Sequence, residues 1–176
     1  MVKRIIAIGG EPATGKTTIM KRIIKDYMPF RKFKYGLVRG IANDKLNIVG
    51  VYDKINCLFS GTDQLSMAVQ PKFLKYIEKC SSEVILFEGD RLFNQSLFDK
   101  VDCEIIVIKA NKEEIHKRHI QRKDTQTEKF IKAKRTKIEN IIQKNKVTIF
   151  SNDNYEEQEQ IIKHIKTLIN EQNRTH

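Results

Sequence analysis

The sequence predicts a single α/β domain over residues 1–176, with helices on both faces of a mainly parallel five-stranded sheet: a three-layer architecture with a helical lid. Three observations point there. Short, continuously apolar runs alternate with longer segments whose apolar residues recur every three to four positions, as buried parallel strands and their covering helices require. The length suits one core. No internal repeat, low-complexity segment or linker divides the chain.

In chain order, "RIIAIGG" (4–10) is apolar throughout and reads as a central strand. Lys16 to Tyr27 follows as a helix, with Met20, Ile23, Ile24 and Tyr27 at i, i+3, i+4, i+7 spacing. "FKYGLVRG" and "NIVGVYD" form a strand or hairpin pair around 33–53. Gln70–Pro71 breaks the next segment, and a proline at a first helical position suits a helix over 71–80. "EVILFEGD" (83–90) and "CEIIVIKA" (103–110) are two more buried strands with a short helix between them. Residues 112–122 are helical, "KDTQT" is a loop, and 127–143 form a long basic helix. "VTIFS" (147–151) is the last strand, and a helix over 156–171 gathers Ile161, Ile162, Ile165, Leu168 and Ile169 on one face.

Forty per cent hydrophobic content fits a globular protein, and no apolar run approaches the ~20 residues of a membrane span, so no membrane partner is expected. "MVKRIIAIGG" lacks a small-residue cleavage site and reads as a strand, not a signal peptide. Cys57, Cys80 and Cys103 are odd in number and widely spaced, as expected of reduced thiols in a cytoplasmic protein, the host cytoplasm if the source is viral. The net charge of +11 is uneven. Residues 1–40 carry 10 basic and 2 acidic groups, and residues 109–146 carry 13 and 5, so each block is +8. Such blocks suit a polyanionic partner, or a solubilising surface plus the cations that a nucleotide enzyme needs.

The strongest motif follows the first strand. Gly10-Glu11-Pro12-Ala13-Thr14-Gly15-Lys16-Thr17 fits G-x-x-x-x-G-K-[ST], the phosphate loop of P-loop NTPases, with Thr18 next to it. Glycines let backbone N–H groups converge on phosphate oxygens, and the helix that follows points its positive end at the same anion. Lys16 then reaches the β- and γ-phosphates of ATP, and the Thr17 hydroxyl ligates Mg²⁺.

A carboxylate on a neighbouring strand normally completes such a metal site. Glu88 stands at the C-terminal edge of "VILFEGD", where open α/β sheets bind ligands, with Asp90 and Arg91 in the same turn. Glu88 suits the metal and Asp90 suits accepting a proton from an attacking hydroxyl, although the two roles can be exchanged. Asp53 and Asp63 are alternative bases. The segment "HKRHIQRKDTQTEKFIKAKRTK", within a lid-like stretch of about 112–137, resembles the lid of kinases of the nucleoside monophosphate kinase superfamily. Arg118 and Arg122, four apart, share a helix face that can close over a triphosphate, with Lys134 and Arg135 as further candidates on the returning helix. In "SNDN", Asn152 sits where this superfamily often contacts the adenine base.

Weaker signals remain open. His116 and His119 are three apart but have no clustered partner, so surface imidazoles fit better than a metal site. Phe30, Phe33 and Tyr35 interleave with Arg31, Lys32 and Lys34, as in a nucleic-acid surface or equally in an alternating strand with a core face.

"GVYDKINCLFSGTDQLSMAVQPKFLKYIEK" and "ILFEGDRLFNQSLF" resemble phage P-loop kinases that phosphorylate 5-hydroxymethyluracil within DNA, an intermediate in thymidine hypermodification. The resemblance covers most of the chain. It implies an ATP- and Mg²⁺-dependent transfer of the γ-phosphate to the hydroxymethyl group of the base, with DNA containing that base as substrate. It also implies that "GTDQLSMAVQ" lines the acceptor site, with Asp63, Ser66 and Gln70 as contacts; Asp53 and Arg91 are further candidates for binding the substrate. The alternatives are a kinase of free nucleosides or nucleotides and, in another class, a P-loop NTPase switch, for which no guanine-selecting N-K-x-D sequence is present.

Overall fold

Because its residues are apolar on both faces, the first strand, β1 (Arg4–Gly10), can only lie inside a sheet, and it does. The computed structural model describes residues 3–52, 60–123 and 125–171. After β1 come α1 (Lys16–Tyr27), β2 (Arg31–Tyr35), β3 (Val38–Ala42) and β4 (Leu46–Val49). A 3-10 turn over Thr62–Gln64 leads to α2 (Val69–Lys79) and β5 (Val84–Glu88), then α3 (Gln95–Phe98) and β6 (Glu104–Lys109). The chain closes with α4 (Lys112–Arg122), α5 (Glu128–Lys144), β7 (Val147–Ser151) and α6 (Tyr155–Asn170).

The strand order is β2-β3-β4-β5-β1-β6-β7. The stretch β4-β5-β1-β6-β7 is parallel, whereas β2–β3 and β3–β4 are antiparallel. The sheet therefore has seven strands, not the five expected. Its mainly parallel character is as expected. The excess is the antiparallel β2 and β3, within the stretch expected to hold a strand or hairpin pair. Within "FKYGLVRG" the chain turns at Gly36, φ +59, so the stretch yields both β2 and β3; the charged residues of β2 face solvent while Phe33 and Tyr35 pack on the core. Helix α2 begins two residues earlier than expected, placing Pro71 at its third position. A proline costs nothing there, because the first four helical N–H groups have no intrahelical acceptor.

Alternate residues of each central strand feed opposite cores. Ile5 and Ala7 join Val49, Phe73, Phe87, Phe93, Ile138 and Ile141 on the face covered by α2, α3 and α5. Ile6 and Ile8 join Ile19, Met20, Ile23, Ile161 and Ile165 on the face covered by α1 and α6. This is the three-layer arrangement. Inside the first core, Phe73 is fully buried and meets Phe87 edge-on, ring centroids 5.5 Å apart. Phe73→Ala is expected to cost about 3–5 kcal/mol, read as a fall in the urea midpoint with unchanged slope. Helix α4, by contrast, buries no residue. Among the described residues, no helix is long and apolar enough to cross a membrane.

Candidate active site

The chain crosses from one side of β1 to the other, since β5 and β6 flank it, and a crevice opens at the C-terminal ends of these strands. Register fixes what meets there. Ile8 pairs with Glu88 across β1 and β5, so the loop that begins two residues after Ile8 faces the carboxylate that ends β5. A cavity of about 340 Å³ occupies this crevice.

Gly10, Pro12, Ala13, Lys16 and Thr17 line the cavity from the glycine loop. Lys16 Nζ donates to the carbonyls of Gly10 (3.0 Å) and Glu11 (2.7 Å), so the ammonium is curled into the loop's own concavity, where an anion would replace those acceptors. Burial lowers its pKa, against the pull of Glu88 and Asp63. The Thr14 hydroxyl donates to Glu11 O at 2.9 Å. Gly15 has φ +90, and a Cβ on it would lie 2.4 Å from Asn152 Nδ2. No other residue fits that position. Thr18 is exposed on α1 and stands apart from the cavity.

Asn152 is 1 % exposed and lies beneath the loop, donating from Nδ2 to Thr14 O at 2.8 Å. Its part in this structure is to hold the loop, not to present an edge to a base. Arg118 does the same from above, donating to Ala13 O (3.2 Å) and Asn152 O (2.7 Å). Arg122, one turn further along α4, does line the cavity. The two arginines expected to act together are therefore divided between loop support and the cavity. Asn152→Ala would leave the buried Thr14 carbonyl without its donor and is expected to cost about 1–3 kcal/mol by chemical denaturation.

Glu88 is 2 % exposed and accepts from the Thr17 hydroxyl at 3.4 Å. The Thr17 hydroxyl also pairs with Ser60 Oγ at 2.8 Å. Burial pushes the Glu88 carboxyl up to about 7, with Lys16 opposing and Asp63 adding to the rise. Gly61 adopts φ +68 against this carboxylate, and a Cβ there would sit 2.5 Å from Glu88 Oε1. Hard oxygen donors at Thr17 and Glu88 suit Mg²⁺. No group of three His, Cys, Asp or Glu residues assembles among the described residues, so an ion here would depend on substrate phosphates for its other ligands.

The remaining acids differ in their surroundings. Asp63 lines the cavity, accepts the Asp90 backbone N–H at Oδ1 (2.8 Å), and has its carboxyl raised by burial against the pull of Lys134 and Lys16. Asp90 also lines the cavity, yet Lys134 pairs with its Oδ2 and Lys137 with its Oδ1 at 3.3 Å. Burial lowers the pKa of both lysines. Arg91 lines the cavity and donates to Leu65 O at 3.3 Å. Ser66 and Gln70 do not line it: Ser66 Oγ accepts from the Ala68 N–H and Gln70 bonds Ser96. Asp53 lies outside the described residues, as does Cys57.

The lid-like segment contributes Arg122, Gln126, Phe130 and Lys134 to the cavity wall. Arg135 clasps Glu11 with two hydrogen bonds, 3.0 and 3.1 Å, tying α5 to the glycine loop. Sequence reasoning missed Ser60, Phe93, Gln126 and Phe130. Ser60 stands three residues before Asp63, so the "SGTD" turn was a usable signal, whereas Phe93 reaches the site only through tertiary packing under Gly9. Phe33 and Tyr35 prove to be core-packed, Phe33 stacking on Tyr76 at 5.1 Å between centroids.

No protein-family model matches the sequence, and no curated protein matches it. Solved structures do match the fold. A sugar kinase from Janibacter sp. HTCC2649, in an unliganded crystal structure, aligns over 95% of this chain and 94% of its own, with a TM-score of 0.54 and 11% identity. An uncharacterized protein from Eubacterium ventriosum ATCC 27560 aligns over 94% of this chain and 99% of its own, with a TM-score of 0.46 and 16% identity. At 11% identity the first likeness is one of fold: this α/β arrangement is one that a sugar kinase also uses.

Proposed function

We propose that the protein is a P-loop kinase that transfers the γ-phosphate of ATP, with Mg²⁺, to the hydroxymethyl group of 5-hydroxymethyluracil in DNA. One observation carries the kinase reading: Lys16, Thr17 and Glu88 converge with Arg122 and Lys134 on a single cavity. A loop that only bound a nucleotide would need the first group. Cations arriving from a separate helical segment suit charge that develops on a phosphoryl group in transfer, and a covering segment excludes water in favour of an alcohol. Mg²⁺, held through Thr17 and Glu88, would neutralise phosphate charge. The sequence resemblance supplies the acceptor, and the two basic blocks agree with a polyanionic substrate.

A second reading keeps the chemistry and replaces the acceptor with a small free alcohol such as a nucleoside. The cavity volume of about 340 Å³ favours it, being of a size for a small molecule, and the fold is shared with a sugar kinase. Incubation with γ-labelled ATP and, separately, 5-hydroxymethyluracil DNA, unmodified DNA and free nucleosides distinguishes the two. Label in the modified DNA alone is expected. Label only in a monomer establishes the second reading, and release of free phosphate alone removes both.

A further inference from the structure

Four acids were candidates for the proton acceptor, and their surroundings are unequal. Glu88 is sunk at the end of β5, takes the Thr17 hydroxyl, and belongs with the metal site. Asp90 has a lysine on each carboxylate oxygen, Lys134 on Oδ2 and Lys137 on Oδ1, both from α5. A carboxylate paired with a cation at each oxygen is the weaker proton acceptor. Asp53 lies outside the described residues.

Asp63 differs in how its two oxygens are held. Like Glu88 and Asp90, it lines the cavity. Its Oδ1 is anchored by a neutral donor, the Asp90 backbone N–H at 2.8 Å; Lys134, Lys16, Arg91 and Lys137 act on the carboxylate electrostatically, without an ion pair. Its Oδ2 has no hydrogen-bond or ion-pair partner among the described residues. Its backbone is also set firmly, because Gly61 abuts Glu88 and the Thr62 side chain abuts Gly89.

From this geometry we infer that Asp63 is the catalytic base, taking the acceptor's proton on Oδ2, and that Asp90 is a latch that seats α5 through Lys134 and Lys137. The inference rests on the kinase reading and deepens it. In the transfer, the acceptor O–H bond breaks and its proton passes to Asp63 Oδ2. The oxygen's electron pair forms the new bond to the γ-phosphorus. The bond from that phosphorus to the β–γ bridging oxygen breaks, and its electron pair leaves with ADP. Asp90 has no part in this proton transfer. By holding α5 over the loop it keeps Phe130 and Lys134 at the cavity wall.

Single-turnover transfer from γ-labelled ATP, nucleotide affinity and hydrogen exchange of α5 are measured for wild type, Asp63→Asn and Asp90→Asn. Asparagine at 63 keeps a carbonyl oxygen for the Asp90 N–H; Asp63→Ser serves the same comparison should the amide not fold. Asp63→Asn is expected to bind ATP within threefold of wild type and to lose at least about a hundredfold in transfer. Asp90→Asn is expected to lose less than tenfold, with faster exchange over 128–144. Asp63→Asn transfer within tenfold of wild type overturns the assignment alone. So does a hundredfold loss in Asp90→Asn with α5 exchange unchanged. A wild-type protein that binds ATP and labels no acceptor overturns the kinase reading, and the assignment with it.

Discussion

Lys16→Ala is expected to lower phosphoryl transfer by on the order of a thousandfold while leaving the fold in place. The ammonium is the cation that the loop itself supplies, and it lies within the electrostatic reach of Glu88 and Asp63. Removing it withdraws charge stabilisation from the phosphoryl group and makes both carboxyls harder to ionise, so the metal and the proton acceptor are weakened together. The fold survives for a local reason. Among the described residues, Lys16 bonds backbone carbonyls of its own loop and, at 3.4 Å, the Thr14 hydroxyl, and its pKa is already lowered by burial. Loss of a few such bonds costs about 1–2 kcal/mol net, partly offset by relief of a buried charge. A thermal melt should therefore shift by only a few degrees while labelled transfer collapses. Lys16→Arg separates charge from shape: it keeps the cation but not the compact ammonium, and is expected to recover little. Transfer by Lys16→Ala within threefold of wild type would remove the proposed function.

What could be read in the sequence was local. The strand, glycine loop and helix over residues 4–27 follow from apolar runs, helical spacing and glycines, all properties of neighbouring residues, and the observed β1 and α1 have the expected bounds. Glu88 was legible for the same reason, as the first charge after an apolar strand. The partners of those residues were not. That Asp90 is held by Lys134 and Lys137 depends on how α5 returns across the sheet edge, a contact between residues more than 40 positions apart. Arg118 and Arg122 share a face of α4 as i,i+4 spacing requires, but that face runs past the loop, so one turn of rise sends one to the carbonyls of Ala13 and Asn152 and the other to the cavity. Asn152 is similar. Its place after the last strand was evident, whereas its burial under Thr14 follows from β7 lying parallel to β6. The strand count was hidden in another way: "FKYGLVRG" reads as one strand or as a hairpin, and only the turn at Gly36 makes it the two strands β2 and β3.

Glu88→Gln is expected to abolish metal-dependent transfer and, at alkaline pH, to stabilise the protein. The sign follows from where its proton is held. The folded-state carboxyl titrates at about 7, whereas an ordinary carboxyl titrates at 4.5. Between those values the folded protein binds more protons than the unfolded chain, so unfolding becomes easier as pH rises through the window. Above pH 7 the accumulated cost is on the order of 3 kcal/mol, because every tenfold change in proton affinity corresponds to about 1.4 kcal/mol. An amide never carries that charge. The variant should therefore melt higher than wild type at pH 8, and the difference should vanish below about pH 4.5. Function needs the opposite state, since a hard cation binds the carboxylate and not the acid. Binding of Mg²⁺–ATP to the wild type at pH 7 should then release about half a proton, measurable as a dependence of the binding heat on buffer ionisation enthalpy. The same titration of Glu88→Gln should show no such release. If the variant is no more stable than wild type at pH 8, burial does not hold Glu88 neutral. If proton release persists in the variant, the ion draws on a different carboxylate. The opposed responses have one cause: the burial that raises the Glu88 carboxyl also leaves a desolvated oxygen beside Thr17 for a cation to claim.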